Sequence, residues 1–402
     1  MNPISISSIA SISALGTTSE EVWKSYKNRK ALFSEKEING SKVPVSEISR
    51  AGKAEIEILR NSNRFYKNLD DSVLFAIFAA RKMVEISPSF EGGRWEAGKA
   101  GINIGSSRGA TQLFEKHHQL FLETGKAETL ASPTTTLGNI SSWVAQDLGV
   151  SGPVLSHSIT CSTALHSFLN GSAWLNSGMS DTFLVGGSET PLTNFTIAQM
   201  QSLKLLKSPP NGKMFTENHY PCESLKFNKK ANSMILGEAA GMACLEIGNP
   251  AALANITGMG YATEKLTHNI SISADAECFQ KSMKMALESA NLKSVDAVVM
   301  HAPGTIKGDL AELNAIKKTF PTPKGQKGRL PALTSNKWLI GHSFGASGIM
   351  SMEMAVLMLQ HQEFIGNPFY SECIPDKINS VMVNAVGFGG NAVSLVISRN
   401  GE

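Results

Sequence analysis

The chain has 402 residues, 42% hydrophobic and 18% charged, so it can bury a large core as one large domain or two fused ones. This composition excludes a disordered chain. The net charge of +3 is too small for a general nucleic-acid-binding protein. The longest clean apolar run, residues 73–80, is far too short to span a bilayer, and the N-terminus lacks the basic start of a signal peptide.

Cysteine usage indicates a reducing compartment such as the cytoplasm. The five cysteines are an odd number and contain no CxxC pair and no zinc-ligand spacing. Reduced thiols fit this pattern better than a disulfide framework does. The sequence therefore predicts a cytoplasmic protein with no membrane span and no metal site.

The first half of the chain alternates strand and helix patterns. Alternating Ile and Ser at residues 4–13 predict a strand, and Thr18 or Ser19 followed by Glu21 resembles a helix cap. The apolar stretch 69–84 predicts a long helix, and residues 100–121 predict a strand, a glycine-rich turn and a helix. The polar, Lys-rich residues 195–235 are predicted to form loops.

A single cysteine opens an apolar helical pattern in the segment 158–178. After Cys161, apolar residues recur at three- and four-residue spacing until Gly178, where a helix would end. A thiol in the first turn of a buried helix lies near the positive end of the helix dipole and beside unpaired N–H groups, which favours thiolate and can stabilise an oxyanion. On this pattern alone, the alternative is a free cysteine in its more usual role, that of a small buried hydrophobic residue.

The same order of parts returns after Leu236. The segments 252–263, 296–320, 334–359 and 382–399 again run strand, strand–turn–helix, turn–helix and strand–glycines–strand. Four signals in matching order predict two similar, fused βα halves packed into one unit. We place the division at 1–248, the half with the nucleophile, and 249–402, the half with two candidate histidines.

The residues capable of chemistry fall at matching places in the two halves. Cys161 lies at a helix start in the first half, and His301 and His342 lie at strand or turn ends in the second. A thiolate can take up an acyl group, and imidazoles with pKa values near neutral can donate hydrogen bonds or move protons. The set favours acyl transfer.

Several motifs in this order resemble the β-ketoacyl-acyl carrier protein synthases of the thiolase-like superfamily, over essentially the whole chain. They are TCSTALHSFLNGSAWLNSG with a following VGGSE, LGEAAGMACLE, HAPGTIKGDLAE, NKWLIGHSFGASG and NAVGFGGNAVSLV. The resemblance implies an α/β, thiolase-like fold, in which the two halves form a five-layered α-β-α-β-α unit. A Cys-His-His set points to the elongating synthases, whereas thiolases carry Cys-His-Cys and the initiating or chalcone-type enzymes Cys-His-Asn.

By this resemblance, the catalytic residues are Cys161, His301 and His342. Cys161 would receive an acyl chain from a pantetheine thioester. The two histidines would assist decarboxylation of malonyl-carrier protein and stabilise the enolate oxygen, and the carbanion would attack the acyl-cysteine. No cofactor is implied beyond the phosphopantetheine of the acyl carrier protein, which holds the substrates.

The resemblance also assigns supporting roles. The backbone N–H groups of Cys161 and Phe388 would form an oxyanion hole, and Phe388 would gate the acyl pocket. Lys337, Asp309 and Glu312 would orient the histidines, although an ordinary charged position remains the alternative, more so for Glu312 than for Lys337. The expected substrate contacts are Thr305, Gly389 and Gly390.

Four positions depart from the family pattern. Pro303 replaces a residue with a hydroxyl that would touch the pantetheine arm, Ala392 ends the usual GFGGTN run, and Ala231 stands where an arginine is usual. Ser351, with Glu353 two positions further on, stands where an acid is common. These departures favour a specialised relative, for example of an aryl polyene or flexirubin-type pigment pathway. A housekeeping fatty-acid elongation synthase and a non-catalytic, chain-length-factor-like partner subunit remain alternatives, as does an unrelated Cys-His hydrolase.

Partners follow from charge and from the resemblance. Carrier proteins are acidic, so basic patches should steer them. Arg64 and Lys67 match a basic segment that the family uses near the tunnel mouth, and Lys204, Lys207 and Lys213 form a second candidate cluster. Each taken singly fits a solvated surface equally well. The family forms dimers, so a homodimer or a heterodimer with a chain-length-factor-like homologue is expected.

Overall fold

The computed structural model describes residues 3–38, 40–87, 99–137, 139–207, 220–265, 272–320, 330–371 and 374–400. Lys213, one of the candidate docking residues, lies outside these ranges. The strands are β1 (Ile4–Ile12), β2 (Ser34–Ile38), β3 (Ser41–Ser46), β4 (Ala100–Gly105), β5 (Val154–His157), β6 (Thr182–Glu189), β7 (Leu236–Gly237), β8 (Ala239–Ile247), β9 (Ala254–Thr263), β10 (Ala297–Val299), β11 (Ala332–Thr334), β12 (Ser380–Gly387) and β13 (Asn391–Ser398).

The helices alternate with these strands through much of the chain. They are α1 (Ser19–Asn28), α2 (Arg50–Ser62), α3 (Asp71–Glu85), α4 (Thr111–Thr124), α5 (Ala131–Thr135), α6 (Asn139–Leu148), α7 (Thr163–Asn176), α8 (Asn194–Ser202), α9 (Glu277–Ser289), α10 (Ile306–Thr319), α11 (Lys337–Ile340) and α12 (Ser347–His361). Short 3-10 turns form at Tyr66–Asn68 and Phe344–Ala346. In the described part of the chain, no helix is both long and apolar enough to cross a membrane.

Two five-stranded halves make up the main sheet. Its order is β11-β10-β12-β13-β9-β1-β8-β6-β4-β5, and β2, β3 and β7 form a separate small sheet. Read inward from each edge of the sheet, the halves are β5-β4-β6-β8-β1 and β11-β10-β12-β13-β9. When the five strands of each half are numbered along the chain, both halves have the order 3-2-4-5-1. The pattern of parallel and antiparallel pairs is also the same. The predicted repeat is confirmed, while the exact division at residue 248 stays a prediction.

The first strand joins the two halves. β1 pairs antiparallel with β8 along its length and with β9 through Ile4–Ile6, so the two halves form one continuous ten-stranded sheet. All nine residues of β1 are buried, serines included. Ser11 donates a 2.6 Å hydrogen bond to the buried Glu353 carboxylate, and Ser7 donates one of 3.3 Å to the Cys244 carbonyl. The Ile/Ser alternation therefore marks a strand buried on both faces, in which Ser5, Ser7 and Ser11 donate to internal acceptors, whereas Ser8 Oγ has no partner among the described residues.

Helices cover both faces of each half of the sheet. α7 and α12 lie between the halves, in a core that contains Leu165, Phe168, Val185, Leu245, Met352, Met358, Val383 and Leu395. α3 and α6 pack on the outer face of the first half, and α9 and α10 on that of the second. This is the α-β-α-β-α layering that the family resemblance implied.

One predicted loop contains a helix. α8 spans Asn194–Ser202, and all but its first residue lies in the stretch 195–235 that polar composition assigned to loops. Thr193 caps this helix by accepting the Thr196 N–H at 3.3 Å, and Ile197 and Met200 are buried. Because only a narrow side of α8 is apolar, its sequence carries little helical periodicity.

Candidate active site

Cys161 lies in a strained turn between β5 and α7. The preceding Thr160 has φ +46°, which is unfavourable for a β-branched residue and is typical of functional sites. The sequence predicted that Cys161 lies in the first turn of this helix. α7 begins at Thr163, so Cys161 instead lies just before the helix. The cysteine is buried, in an apolar cluster with Met200 and Phe344.

A glycine turn from the second half closes over this nucleophile turn. A Cβ added to Gly387, at the end of β12, would lie 2.0 Å from Thr160 Oγ1 and 2.5 Å from the Ile159 carbonyl oxygen. Thr160 Oγ1 also lies 3.5 Å from the Phe388 carbonyl oxygen, to which it donates. Only glycine permits this approach at position 387, which explains the first glycine of the GFGG run after the strand.

Burial keeps the Cys161 thiol protonated. Desolvation, with a smaller contribution from the Glu189 carboxylate, raises the pKa of Cys161 to about 12, and the Arg108 and Lys337 cations oppose this only in part. The prediction that the position of Cys161 favours thiolate is therefore wrong for the free protein. The cost of removing a thiolate from water exceeds the stabilisation that nearby cations provide.

His301 is held by a buried carboxylate. It follows β10, and Glu312 Oε1 and Oε2 accept the backbone N–H groups of His301 at 3.0 Å and Ala302 at 2.9 Å. Asn384 Nδ2 donates to the same carboxylate at 3.2 Å. Glu312 is thus a buried brace for the histidine turn, and the alternative of an ordinary charged position is excluded for it.

Asp309 shapes the rest of that turn. Its Oδ1 accepts the N–H groups of Gly304 at 3.0 Å and Thr305 at 3.1 Å. Its Oδ2 accepts a 2.7 Å hydrogen bond from Lys229 Nζ, and this ion pair is fully buried. A buried charge pair with these additional hydrogen bonds fixes the conformation of the turn.

His342 is fixed through its backbone. Its N–H donates to the Ile235 carbonyl at 2.7 Å, and its carbonyl accepts the Gly237 N–H at 3.1 Å. The rings of His342 and His301 lie 5.2 Å apart between centroids and nearly perpendicular. His342 lines the cavity, and its Nδ1 is buried with no hydrogen-bond partner in the described part of the chain.

Both imidazoles are neutral at physiological pH. Burial, helped by the Lys337 cation, lowers the pKa of His301 to about 3. Burial and then the two neighbours His301 and Lys337 lower the pKa of His342 well below its usual value. A neutral imidazole presents one N–H donor and one nitrogen acceptor, so each histidine can donate a hydrogen bond or accept a proton.

Lys337 lies behind the histidines, fully buried. Its Nζ donates to Asn336 Oδ1 at 2.9 Å and to Ser351 Oγ at 3.2 Å. Burial lowers the pKa of Lys337 to about 8, against the opposing effect of Glu312 and other acidic neighbours. Ser351, which replaces the acid common in the family, therefore gives Lys337 a neutral oxygen partner.

One cavity of about 680 Å³ brings most of the predicted site together. Its lining includes Cys161, His301, His342, Thr305, Glu312 and Phe388. The remaining wall is mainly apolar, with Met200, Leu205, Met234, Phe279, Phe344 and Val386. Lys337 and Asp309 lie behind the wall, and Gly389 and Gly390, with φ +98° and +70°, form the turn after Phe388 without lining the cavity.

The predicted docking residues are less closely tied to the cavity. Arg64, Lys67 and Lys204 are exposed and Lys207 is half-buried, and none of the four lines it. The Lys204 carbonyl accepts a 2.9 Å hydrogen bond from Asn232, which does line the cavity. Lys307, at the start of α10, is an exposed cation on the cavity wall that the sequence analysis did not identify.

Several other positioning residues were also missed. They are Lys229, Asn384, Asn336 and Glu189. Glu189 belongs to the VGGSE motif, which was noted without a role, and the structure shows that its carboxylate accepts the Ser107 and Gly345 N–H groups. The other partners are distant in sequence from the motifs that they support, so no local pattern marks them. The described residues contain no group of three His, Cys, Asp or Glu side chains that could hold a metal ion.

A buried thiol and two neutral imidazoles in an apolar cavity, at the junction of two repeated βα halves, define an acyl-transferring enzyme of thiolase-like fold. The sequence profile described as "Beta-ketoacyl synthase, N-terminal domain" matches residues 1–251, and that of "Beta-ketoacyl synthase, C-terminal domain" matches residues 253–368. The chain thus belongs to the β-ketoacyl synthase family, and it is a condensing enzyme.

Individual relatives agree with this assignment. A 3-oxoacyl-[acyl-carrier-protein] synthase 2 of Coxiella burnetii is 28% identical over 83% of each chain. Among solved structures, the ishigamide ketosynthase/chain length factor has a TM-score of 0.83 at 18% identity over the full length of both chains. A type II polyketide synthase ketosynthase, in complex with its acyl-carrier protein and bound to the hexaketide, has a TM-score of 0.81 at 19% identity over 99% of each chain. At such identities, these structures establish the fold alone.

Proposed function

We propose that this protein is an elongating 3-oxoacyl-[acyl-carrier-protein] synthase, in which Cys161 is the acyl acceptor and His301 and His342 catalyse the decarboxylative condensation. The observation that carries this proposal is the single cavity lined by all three side chains. The reaction named for the Coxiella burnetii relative is of this kind. The substrates would arrive as thioesters of a carrier protein's phosphopantetheine, with no further cofactor.

The first half-reaction transfers the acyl group to sulfur. Because burial keeps the Cys161 thiol protonated, it must lose its proton as it attacks the thioester carbonyl. A neutral imidazole can relay this proton directly to the departing pantetheine sulfur, with no imidazolium accumulating, because burial holds the pKa values of both histidines far below neutral. The N–H groups of Cys161 and Phe388, in two turns that contact each other through Thr160, are the proposed donors to the oxyanion.

The second half-reaction uses the two histidines as donors. As the malonyl thioester loses CO₂, negative charge develops on the thioester oxygen, and two neutral imidazole N–H groups can stabilise the enolate. The enolate carbon then attacks the acyl-cysteine carbonyl, the C–S bond breaks, and the Cys161 thiolate leaves and takes up one proton from solvent, relayed through a cavity imidazole. The low pKa values of His301 and His342 suit this role, because the imidazoles are neutral without any prior deprotonation step.

The buried charges act as positioning residues. Glu312 and Asp309 hold the backbone of the 301–305 turn, and Lys337 lies close enough to lower the pKa of both histidines. We assign Thr305, which lines the cavity, to the pantetheine arm, and Gly389 and Gly390 to the turn that lets this arm pass Phe388.

A basic rim would dock the acidic carrier protein. We propose Lys204 and Lys307 as its nearest members, because the Lys204 backbone is bonded to a cavity-lining residue and Lys307 lines the cavity itself. Arg64, Lys67 and Lys207 remain candidates for a wider docking surface. The ketosynthase in one similar solved structure is bound to its acyl-carrier protein.

We further propose a dimer, with a second copy or a chain-length-factor-like homologue. β5 is an edge strand of the sheet, and its Val154 and Leu155 side chains are exposed. α4 has no buried residue and exposes Phe114, Phe121 and Leu122. An open sheet edge and a helix face with exposed apolar side chains are each typical surfaces for pairing with another chain.

The pathway is proposed on narrower grounds. Pro303 lines the cavity where the family usually has a hydroxyl, and Ser351 contacts Lys337 in place of an acid. These differences favour a specialised enzyme of the aryl polyene or flexirubin type over a housekeeping fatty-acid synthase. The presence of Cys161 with both histidines disfavours a non-catalytic partner subunit.

The acyl group found on the carrier protein after the reaction tests the proposed function. The protein is incubated with acyl- and malonyl-carrier proteins, and the carrier masses are measured. We expect a 3-oxoacyl-carrier protein two carbons longer than the primer, lost in His301→Ala and His342→Ala and retained in His361→Ala, whose ring stacks on Trp23. Malonyl-carrier protein consumed without any extended product, or full condensation by either active-site variant, would contradict the assignment.

A further inference from the structure

Arg108 is a cation beside the reacting cysteine that has no role in the mechanism above. It lies in the loop after β4, and the neighbouring Ser107 donates its N–H to Glu189. The same Glu189 oxygen accepts the Gly345 N–H at 3.2 Å, from the turn that contains Phe344. A fully buried carboxylate therefore ties the Arg108 loop to the wall of the active-site cavity.

The Arg108 side chain contacts that wall directly. Its guanidinium carbon lies 5.2 Å from the centroid of the Phe344 ring, and Nη1 donates to Gln199 Oε1 on α8. Phe344 and Met200, the residue after Gln199, both line the cavity, and both belong to the apolar cluster that contains Cys161. Arg108 is half-buried, so its charge is only partly screened by solvent.

The charge of Arg108 reaches the sulfur. The guanidinium opposes the rise in the pKa of Cys161 and also lowers that of Glu189. At the sulfur, the Glu189 carboxylate has the opposite and larger effect. Arg108 is thus a cation beside the Phe344 wall of a mainly apolar cavity, and an acyl chain that extends past Phe344 would meet it.

We propose that Arg108 is a specificity-determining residue that favours acyl groups with a conjugated π system or an oxygen acceptor over saturated hydrocarbon chains on Cys161. This inference rests on the proposed function, since it assumes an acyl group on that sulfur. In the described part of the chain, the guanidinium donates a hydrogen bond to one acceptor, Gln199, although it carries five N–H donors.

The selection follows from desolvation. A saturated chain packed against Phe344 would remove water from the guanidinium and provide nothing in exchange. A conjugated chain presents a π face to the cation, and an oxygenated chain presents an acceptor for a free N–H. The π-face contact corresponds to a preference of about fivefold to thirtyfold, depending on how fully it is desolvated.

Three six-carbon pantetheine thioesters test this preference: hexanoyl, 2,4-hexadienoyl and 6-hydroxyhexanoyl. Loading rates of Cys161 are measured by intact-protein mass spectrometry for the wild type and Arg108→Met. Because intrinsic thioester reactivity is the same for both proteins, the ratio of rate ratios isolates the contribution of Arg108. The matched control is Arg29→Met, which removes a guanidinium lying 6.0 Å from the Trp338 ring, outside the cavity.

We expect Arg108→Met to load hexanoyl relatively faster, so that the preference for either or both of the other chains falls about fivefold or more. A fall for hexadienoyl alone identifies a π-selective site, and a fall for the hydroxy chain alone identifies an acceptor-selective site. Unchanged ratios, or an equal change in Arg29→Met, would overturn the proposal.

A second measurement does not depend on condensing activity. Cys161 is alkylated with the anionic iodoacetate and the neutral iodoacetamide, and the site is located by peptide mass. If the charge of Arg108 acts at the sulfur, Arg108→Met lowers the iodoacetate-to-iodoacetamide rate ratio by roughly threefold or more. A purely structural role would leave this ratio unchanged and would refute the proposal. A normal alkylation result with no acyl loading from any thioester would instead count against the proposed function.

Discussion

Glu312→Gln is the change that tests most directly how the His301 turn is held. The carboxylate accepts the N–H groups of His301 and Ala302 at 3.0 and 2.9 Å, one on each oxygen. Glutamine retains one acceptor but turns an NH₂ group toward the other donor. A buried donor left without an acceptor costs about 1–3 kcal/mol of unfolding free energy.

The size of this penalty depends on pH. Burial raises the pKa of Glu312 from 4.5 to about 7, so the folded protein holds its proton more tightly than the unfolded chain does. The stability that the protonated carboxyl provides is present below about pH 4.5 and is lost as the pH rises through 7. At 1.36 kcal/mol per pKa unit this loss is about 3 kcal/mol, and the glutamine variant does not undergo it. We therefore expect the unfolding free energy of Glu312→Gln to fall furthest below that of the wild type at pH 5. At pH 8 it should approach or exceed the wild-type value.

Denaturant unfolding at pH 5 and pH 8, with turnover measured in parallel, provides the assay. Displacement of the His301 turn should reduce turnover about 10- to 100-fold. Glu353→Gln is the matched control, because Glu353 is equally buried and has a pKa of about 7, but its one hydrogen bond is from Ser11. The control should show the same pH effect on stability with unchanged turnover. Full turnover in Glu312→Gln, or an equal loss of turnover in both variants, would refute the proposal that Glu312 holds the His301 turn in place.

Three further predictions follow from the site. Because burial holds the pKa of Cys161 at about 12, its alkylation rate should rise about tenfold per pH unit between pH 7 and 10, and a plateau near pH 7 would contradict this. Turnover should fall as the pH rises above about 8, where Lys337 loses its proton. The Lys337→Met variant should be slower at every pH and should not show this fall. If the fall persists in that variant, another group causes it. Gly387→Ala should abolish acyl loading, since its Cβ would collide with Thr160, whereas Gly366→Ala, whose Cβ would meet no atom closer than 3.7 Å, should load normally. Equal loading by the two would exclude the close approach.

Local periodicity accounts for the parts of the fold that could be predicted. The helix after Cys161, the long helix α3 and the strand–glycine–strand at residues 382–399 all show apolar spacing that tertiary packing then uses. Their order, repeated in both halves, was enough to predict two similar units. α8 was missed because most of its surface faces away from the core, so that its apolar residues show no clear period.

The chemistry of the site could be predicted only in part. Motif spacing identified the three cavity-lining catalytic candidates, but their protonation states depend on burial by elements far away in sequence. The thiol pKa, which the helix position was expected to lower, is raised because desolvation dominates. The partners Lys229 and Asp309 are 80 positions apart, and Arg108 lies in a loop with no periodic signal. Contacts of this kind appear only when the chain is folded.

The most direct test of the central claim is the mass of the intact protein after incubation with acyl-loaded carrier protein. Wild type should gain the mass of one acyl group, and malonyl-carrier protein should then remove it as the extended product forms. Cys161→Ala should gain nothing. Acyl loading that survives Cys161→Ala would contradict the account, because the acceptor would then lie outside the cavity shared with His301 and His342.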